Sequence, residues 1–298
     1  MNRRNFFKVT AVASTALIGV DALASEHKGP ESLENAFGVL VDTTYCIGCR
    51  KCEYACNQSN KLPSQNTKAF DDKSVFNVHR RPTDVAYTMV NIYPDDNAPE
   101  KHRYIKVQCM HCNDPACASA CIVGAFRKTE KGPVTYDAWK CMGCRYCMVA
   151  CPFQIPAYEY KNALTPQVRK CTFCVERITS EGKKPACVEI CPNEALTFGT
   201  RRQLLELAHE RIKQMPERYF DHVYGEYEVG GTSWMYLAST DFSQTELPKL
   251  DSRPIPETTE SIQHGVFKSF VPPIALYGLL ALATHSLKKK DGDHDERS

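Results

Sequence analysis

Residues 141–152 read CMGCRYCMVACP, and the cysteine spacing in this stretch decides the fold. Cys141, Cys144, Cys147 and Cys151 form C-x2-C-x2-C-x3-C with Pro152 directly after. Residues 46–56, CIGCRKCEYAC, repeat the pattern through Cys46, Cys49, Cys52 and Cys56, with Gly, Arg and Ala at matching places. Two variants complete the series. Cys109, Cys112, Cys117 and Cys121 are spaced C-x2-C-x4-C-x3-C, and Cys171, Cys174, Cys187 and Cys191 are spaced C-x2-C-x12-C-x3-C with Pro192 following. All 16 cysteines of the 298-residue chain fall into these four sets.

Three thiolates on one tight loop can wrap a cubane, leaving backbone amides to hydrogen-bond its sulfides, while the fourth, three residues on, ligates the other cluster of a pair. The spacing predicts that this fourth cysteine starts a helix, whose first turn accommodates Pro152 or Pro192 because an amide N–H is orphaned there anyway. Structural zinc sites use two C-x2-C pairs separated by a longer segment. Disulfides suit an oxidising compartment but need no three cysteines at three-residue spacing. The expected cofactors are therefore [4Fe–4S] clusters, with a zinc or disulfide scaffold as the alternative of another class. No C-x-x-C-H occurs, which excludes covalent c-type haem.

The segment between Cys121 and Cys141 carries a hairpin signal: Ala125-Phe126, a polar turn around Glu130-Lys131-Gly132, then Val134-Thr135-Tyr136. Residues 109–152 thus have the size and layout of a complete two-cluster bacterial ferredoxin. By elimination the first and fourth sets pair across it, with the apolar runs Gly38–Val41 and Ala195–Phe198 as matching strands. The expected fold is α+β, two nested ferredoxin-like modules within residues 36–200. Four [4Fe–4S] sites follow: Cys46, Cys49, Cys52 with Cys191; Cys109, Cys112, Cys117 with Cys151; Cys141, Cys144, Cys147 with Cys121; and Cys171, Cys174, Cys187 with Cys56. Arg50, Lys51, Arg145, Arg169 and Lys170 lie beside these cysteines and could offset cluster charge.

The ends of the chain read differently. Residues 1–24 have a basic start (Arg3-Arg4-Asn5-Phe6-Phe7-Lys8), an apolar stretch from Val9 to Val20 and Ala22-Leu23-Ala24. This is the form of an export signal cleaved after Ala24, and the paired arginines suggest the twin-arginine route, which moves folded proteins. Clusters must be inserted before export, which demands such a route. Residues 269–287 contain no charge and are long enough to span a bilayer. Lys288-Lys289-Lys290 follow, so the tail 288–298 is expected on the cytoplasmic side and the body of the protein on the periplasmic face of the inner membrane. A net charge of +2 gives no polyanion-binding signature, so no nucleic-acid partner is expected.

Thr200-Arg201-Arg202-Gln203 reads as a capping box opening an amphipathic helix with Leu204, Leu205, Leu207, Ala208 and Ile212 near one face. Residues 201–264 are read as that helix plus an extension that wraps a partner or leads to the membrane, with a strand-like run at Ser233–Leu237. His264, just before the apolar run, reads as a surface histidine. His111, inside Cys109–Cys112, reads as a neighbour of the metal and not a ligand. No nucleophile–base pair, phosphate-binding Gly loop or nicotinamide fingerprint occurs, so the chain by itself is expected to carry no catalytic residue.

In order and spacing, the four sets resemble the four-cluster iron–sulfur subunits of the dimethyl sulfoxide reductase type, which also accompany formate dehydrogenases, nitrate reductases and periplasmic uptake hydrogenases. Some relatives carry a Trp in the third set and lose one iron there; Cys141, Cys144 and Cys147 are all present here, which implies four cubanes. RRNFFK at residues 3–8, HVYGEYEVGGTSWMYL at 222–237 and SIQHGVFK at 261–268 make the layout most similar to the HybA-type electron-transfer subunit of periplasmic membrane-bound [NiFe] hydrogenase. The resemblance implies catalytic hydrogenase subunits and an integral membrane quinone-reactive subunit as partners. A molybdenum or tungsten enzyme, of the formate dehydrogenase or oxyanion or sulfur reductase type, is the alternative catalytic partner.

Overall fold

A computed structural model describes residues 33–63, 66–94, 102–258 and 276–284. The two apolar runs that flank the first and fourth cysteine sets meet as strands. Strand β1 (Phe37–Asp42) has both long neighbours occupied, as its unbroken apolar reading FGVLVD requires. Before naming those neighbours we number the remaining strands: β2 (Met89–Pro94), β3 (His102–Val107), β4 (Phe126–Lys128), β5 (Val134–Tyr136), β6 (Ala157–Tyr158), β7 (Val168–Arg169), β8 (Leu196–Thr200) and β9 (Trp234–Leu237). On one side β1 pairs antiparallel with β8, Val39 opposite Phe198 and Val41 opposite Leu196. On the other it pairs parallel with β9, Val39 opposite Trp234 and Val41 opposite Tyr236.

Alternation along these strands divides the core in two, because successive side chains point to opposite faces. Val39, Val41, Trp234 and Tyr236 join the large cluster that contains buried cysteines of the first, second and fourth sets. Leu40, Met235 and Leu237 face the other way and pack on Leu204, Ala208 and Ile212. Those three belong to helix α6 (Arg201–Gln214), which opens with the expected capping box: Thr200 Oγ1 accepts from the Gln203 amide, and Gln203 Oε1 accepts from the Thr200 amide. The expected inner hairpin is β4 against β5, antiparallel, with Phe126 opposite Tyr136. A second hairpin, β2 with β3, stands between the two halves in sequence.

Two expectations need correction. The segment 214–252 is not a peripheral extension. Its strand β9 is wholly buried, and Tyr219, Val223, Tyr224, Val229, Phe242 and Leu247 are buried around it. The aromatic side chains lack a 3.6 or 2.0 period because most come from loops that fill gaps beside the sheet. Nor does the fourth cysteine of each set start a helix. The short helices α1 (Lys51–Ser59), α2 (Ala116–Ser119), α3 (Tyr146–Ala150), α4 (Val175–Glu181) and α5 (Ala186–Glu189) show why. Cys121, Cys151 and Cys191 come just after α2, α3 and α5, and Cys56 lies inside α1. Arg50 and Arg145, both left-handed at φ 60° and 63°, turn the chain into α1 and α3 directly after the second cysteine, so the helical turn falls within the x3 gap.

The repeat between the first and third sets is thus a repeat of backbone conformation. Gly48 and Gly143 also match, at φ +64° and +76°, a region where a side chain is strained. A Cβ on Gly48 would lie 2.3 Å from the Tyr104 ring. Among the described residues no helix is long and apolar enough to cross a membrane. Residues 276–284 are helical, with Leu276, Tyr277, Leu279, Leu280 and Leu282 exposed. The rest of 269–287, the expected leader 1–24, His264 and the expected tail 288–298 lie outside the described residues.

The packing gives two graded expectations. Trp234→Ala should cost about 3–5 kcal/mol, the usual range for emptying a buried aromatic site, while Thr200→Ala should cost about 1 kcal/mol for one lost cap. Denaturant unfolding of the cluster-loaded protein measures both. A loss near the smaller figure for Trp234→Ala would mean that β9 is not part of the core.

Candidate functional site

All sixteen thiols are free of disulfides. They gather by charge–charge proximity into four groups. Cys46 lies in range of Cys49 and Cys191, and Cys52 in range of Cys46. These four also line one pocket together with Arg50 and Lys106. Cys56 is in range of Cys171, Cys174 and Cys187. Cys112 is in range of Cys109, Cys117 and Cys151. Cys147 is in range of Cys121, Cys141 and Cys144. The structure thus places each expected set of four together.

The helices explain the exchange of fourth members. In every set the third and fourth cysteines are four residues apart, about one helical turn, which separates their Cβ atoms by roughly 5–6 Å on one face. Cys52 and Cys56 on α1 therefore reach two adjacent groups, and Cys187 with Cys191 reaches the same two in reverse. Cys117 with Cys121 and Cys147 with Cys151 do likewise for the other pair. Contacts between groups then order them. Cys52 faces Cys187, Cys171 faces Cys109, and Cys117 faces Cys147. The line runs from the Cys46 group through the Cys171 and Cys109 groups to the Cys141 group. Cys46 and Cys49 are half-buried at one end, and Cys144 is exposed at the other.

Burial pushes the bare thiols up, to about 11 for Cys46 and Cys151 and about 12 for Cys147 and Cys171, with repulsion from neighbouring thiols adding to it. Metal binding would replace those protons and pair the charge. Backbone amides already point at sulfur. The Phe173 amide donates to Cys171 Sγ at 3.3 Å and the Ala125 amide to Cys121 Sγ at 3.2 Å. Amides of Phe153, Gln154 and Ile155 serve Cys151. His111 Nε2 and Trp234 Nε1 are among the five buried side-chain atoms with no hydrogen-bond partner among the described residues. Because the Val134 amide donates to His111 Nδ1 at 2.8 Å, the neutral ring carries its proton on Nε2.

These observations test the fit of the expected group. Among the described residues no three of His, Cys, Asp or Glu come close enough to hold a single metal ion. A tetrahedral zinc with Zn–S near 2.3 Å would need thiols drawn within about 4 Å of each other. Groups of four thiols on loops of ferredoxin spacing, with backbone amides donating to sulfur, suit the sulfide-bearing [4Fe–4S] cage. The residues present fit it.

The flanking cations divide. Arg50 is buried but held by Glu53, with Nη2 3.1 Å from Oε2, and by the Asp72 carbonyl. Arg169 is held by Glu159, and Arg145 lies over the Tyr158 ring at 5.6 Å. Lys51 is exposed. Only Lys170 of the five is both buried and directed inward, donating to the Val134 carbonyl at 2.6 Å and bearing on Cys117. Sequence reasoning missed Lys106. It sits on β3, three residues before Cys109, and bears on Cys52, Cys56, Cys171 and Cys187. Nothing in the reading HRYIKV separates a lysine buried beside thiols from one on a solvated strand face.

Comparison with known proteins agrees with this chemistry. A family described as a 4Fe-4S dicluster domain matches residues 100–201. A protein of Nitratidesulfovibrio vulgaris is 46% identical over 297 residues, covering 97% of this chain and 78% of the relative. The hydrogenase-2 operon protein HybA of Escherichia coli O157:H7 is 37% identical over 336 residues, spanning 100% of both chains. The iron–sulfur subunit of the nitrate-inducible formate dehydrogenase of Escherichia coli (strain K12) is 34% identical over 249 residues, 81% of this chain and 80% of its own. With a relative similar along its entire length and thiols grouped for sulfide cages, the chain belongs to the family of ferredoxin-type [4Fe–4S] electron-transfer subunits that includes HybA and the formate dehydrogenase iron–sulfur subunits.

Proposed function

We propose that this chain holds four [4Fe–4S] clusters and connects a catalytic subunit, a [NiFe] hydrogenase in the first instance, to a quinone-reactive subunit in the membrane. When bound, the clusters supply one-electron carriers. The observation that carries the reading is the line of four thiol groups, each within electrostatic range of the next, with Cys46 and Cys49 half-buried at one end and Cys144 exposed at the other. The full-length similarity to HybA favours hydrogenase over a molybdenum or tungsten partner. The similarity to a formate dehydrogenase iron–sulfur subunit keeps that second reading specific.

In this reading the sixteen cysteines hold the clusters as grouped above, and the remaining residues exclude water and place donors around them. Ile122, next to Cys121, and Met142, Tyr146 and Val149 of the third set are exposed, as is Cys144. An apolar surface at a redox exit suits a protein partner, because contact there removes water between donor and acceptor. We place residues 1–24 as a twin-arginine leader, residues 269–287 as a single membrane span, and the body on the periplasmic side. The export route and the cofactor agree physically, since clusters assembled in a reducing compartment must cross the membrane inside a folded protein.

Metal analysis of the complex that co-purifies with a tagged copy from detergent-solubilised membranes tests the function. Iron is expected at about sixteen per copy, four for each cubane, together with nickel. Molybdenum or tungsten without nickel would move the partner to the formate or oxyanion branch, and abundant zinc with little iron would overturn the reading. A second expectation concerns ligand exchange. Cys56→Ser should disturb the same spectroscopic signal as Cys174→Ser, and a different one from Cys49→Ser. If Cys56→Ser instead pairs with Cys49→Ser, each set serves its own cluster and the exchange is wrong.

A further inference from the structure

Lys106 is an unusual resident for the centre of this fold. It is 3% exposed, on β3, with no carboxylate partner among the described residues. An unpaired buried cation is costly, so it persists only where its surroundings supply compensating negative charge and hydrogen bonds. Its Nζ donates to Thr88 Oγ1 at 2.6 Å and to Gln108 Oε1 at 2.8 Å.

Both acceptors are locked in that role. The Thr88 hydroxyl spends its own proton on the Val107 carbonyl, at 3.2 Å. Gln108 presents its oxygen because its Nε2 donates to the Tyr236 hydroxyl at 2.6 Å, and that hydroxyl in turn donates to the Lys106 carbonyl at 2.8 Å. The network therefore fixes the position of Nζ and demands that it donate. Nζ also sits 4.6 Å from the centre of the Trp234 ring. An ammonium is attracted to that electron-rich face, whereas the lone pair of a neutral amine would be repelled by it. Three features of the pocket thus select the charged form.

The thiols around it come from two groups and not one. Cys52 belongs to the Cys46 group, and Cys56, Cys171 and Cys187 to the next group in line. All four lie within electrostatic range of Lys106. Lys106 also borders the pocket lined by Cys46, Cys49, Cys52 and Cys191.

We infer that Lys106 is a fixed ammonium shared by the two clusters at the Cys46 end of the line, placed there to raise both reduction potentials together. The inference rests on the four-cluster reading above. Reduction adds negative charge to a cluster, and a nearby cation in a low-dielectric interior favours the reduced form. A charge placed between two carriers acts on both, so it keeps their potentials in step while lifting them relative to the two clusters further along. The residue positions charge; it does not ligate.

The test is a redox titration of the detergent-solubilised complex followed by electron paramagnetic resonance, with iron measured on every preparation. Lys106→Met removes the charge at similar length, Lys106→Gln keeps one hydrogen-bond donor without charge, and Lys106→Arg keeps the charge. The expected result is that two of the four signals titrate at more negative potential in both neutral variants, that the other two stay in place, and that Lys106→Arg stays close to the unaltered protein. Loss of iron confined to two clusters in both neutral variants, with retention in Lys106→Arg, supports the same role. Unmoved potentials, a uniform shift of all four signals, or equal iron loss in all three variants would overturn it. If the unaltered complex itself lacks four iron–sulfur signals, it is the four-cluster reading that fails; if it shows them and Lys106→Met changes nothing, the inference about Lys106 fails alone.

Discussion

The antiparallel pairing of β1 with β8 is the constraint on which the rest of the structure depends. It joins the strand just before Cys46 to the strand just after Cys191, and so closes the chain around the inner module between residues 109 and 152. Closing so long a loop is entropically unfavourable, though the cost grows only slowly with length. What offsets it is burial on both faces of β1, with Val39 and Leu40 wholly inaccessible and Trp234 and Met235 equally so on the neighbouring β9. Without that closure the first and fourth cysteine sets would be two separate half-sites, each with a thiol to spare.

The second organising force is electrostatic. Nine of the sixteen thiols, Cys46, Cys52, Cys56, Cys112, Cys117, Cys147, Cys151, Cys171 and Cys187, sit where burial disfavours their ionised form. Binding of metal to such groups releases protons and couples cofactor to fold, because the ligands come from distant parts of the chain. The protein prepares for that charge with backbone amides aimed at sulfur and with Lys106 and Lys170. Most of the arginines near the cysteines do something else. Arg50 and Arg80 both bind Glu53, fastening α1 to β2 through a buried carboxylate that also accepts from the Val90 amide at 2.7 Å.

Similarity to HybA and to formate dehydrogenase iron–sulfur subunits fits a division of labour in which one wire serves different catalytic chemistries. The x3 spacing sets the step between the two groups of each pair at about one helical turn, and packing brings Cys171 near Cys109 to join the pairs. Its ends, where Cys144 and the half-buried Cys46 and Cys49 come to the surface, are where partners must differ.

Much of this was readable from residue spacing because the determinants are local. A C-x2-C-x2-C-x3-C run, the hairpin around Gly132 and the capping box from Thr200 to Gln203 each act within a dozen residues, and the hairpin and the capping box have the form that their sequence implies. The grouping of Cys46 with Cys191 was reachable by elimination, since the inner module accounts for its own eight cysteines. Other features were not local and could not be read. The place of residues 214–252 in the core depends on β9 finding the free edge of β1, and its aromatic side chains show no period because they fill gaps and do not line one face. In the first and third sets the helix begins before the third cysteine because Arg50 and Arg145 adopt a left-handed conformation that spacing alone does not reveal. Sequence by itself therefore determined the chemistry on offer, four sets of cysteines in ferredoxin-like spacing. Only the tertiary structure decided the order of the groups and the charge between them, because proximity between β3, α1 and the Cys171 loop arises from packing across the sheet and from no pattern along the chain.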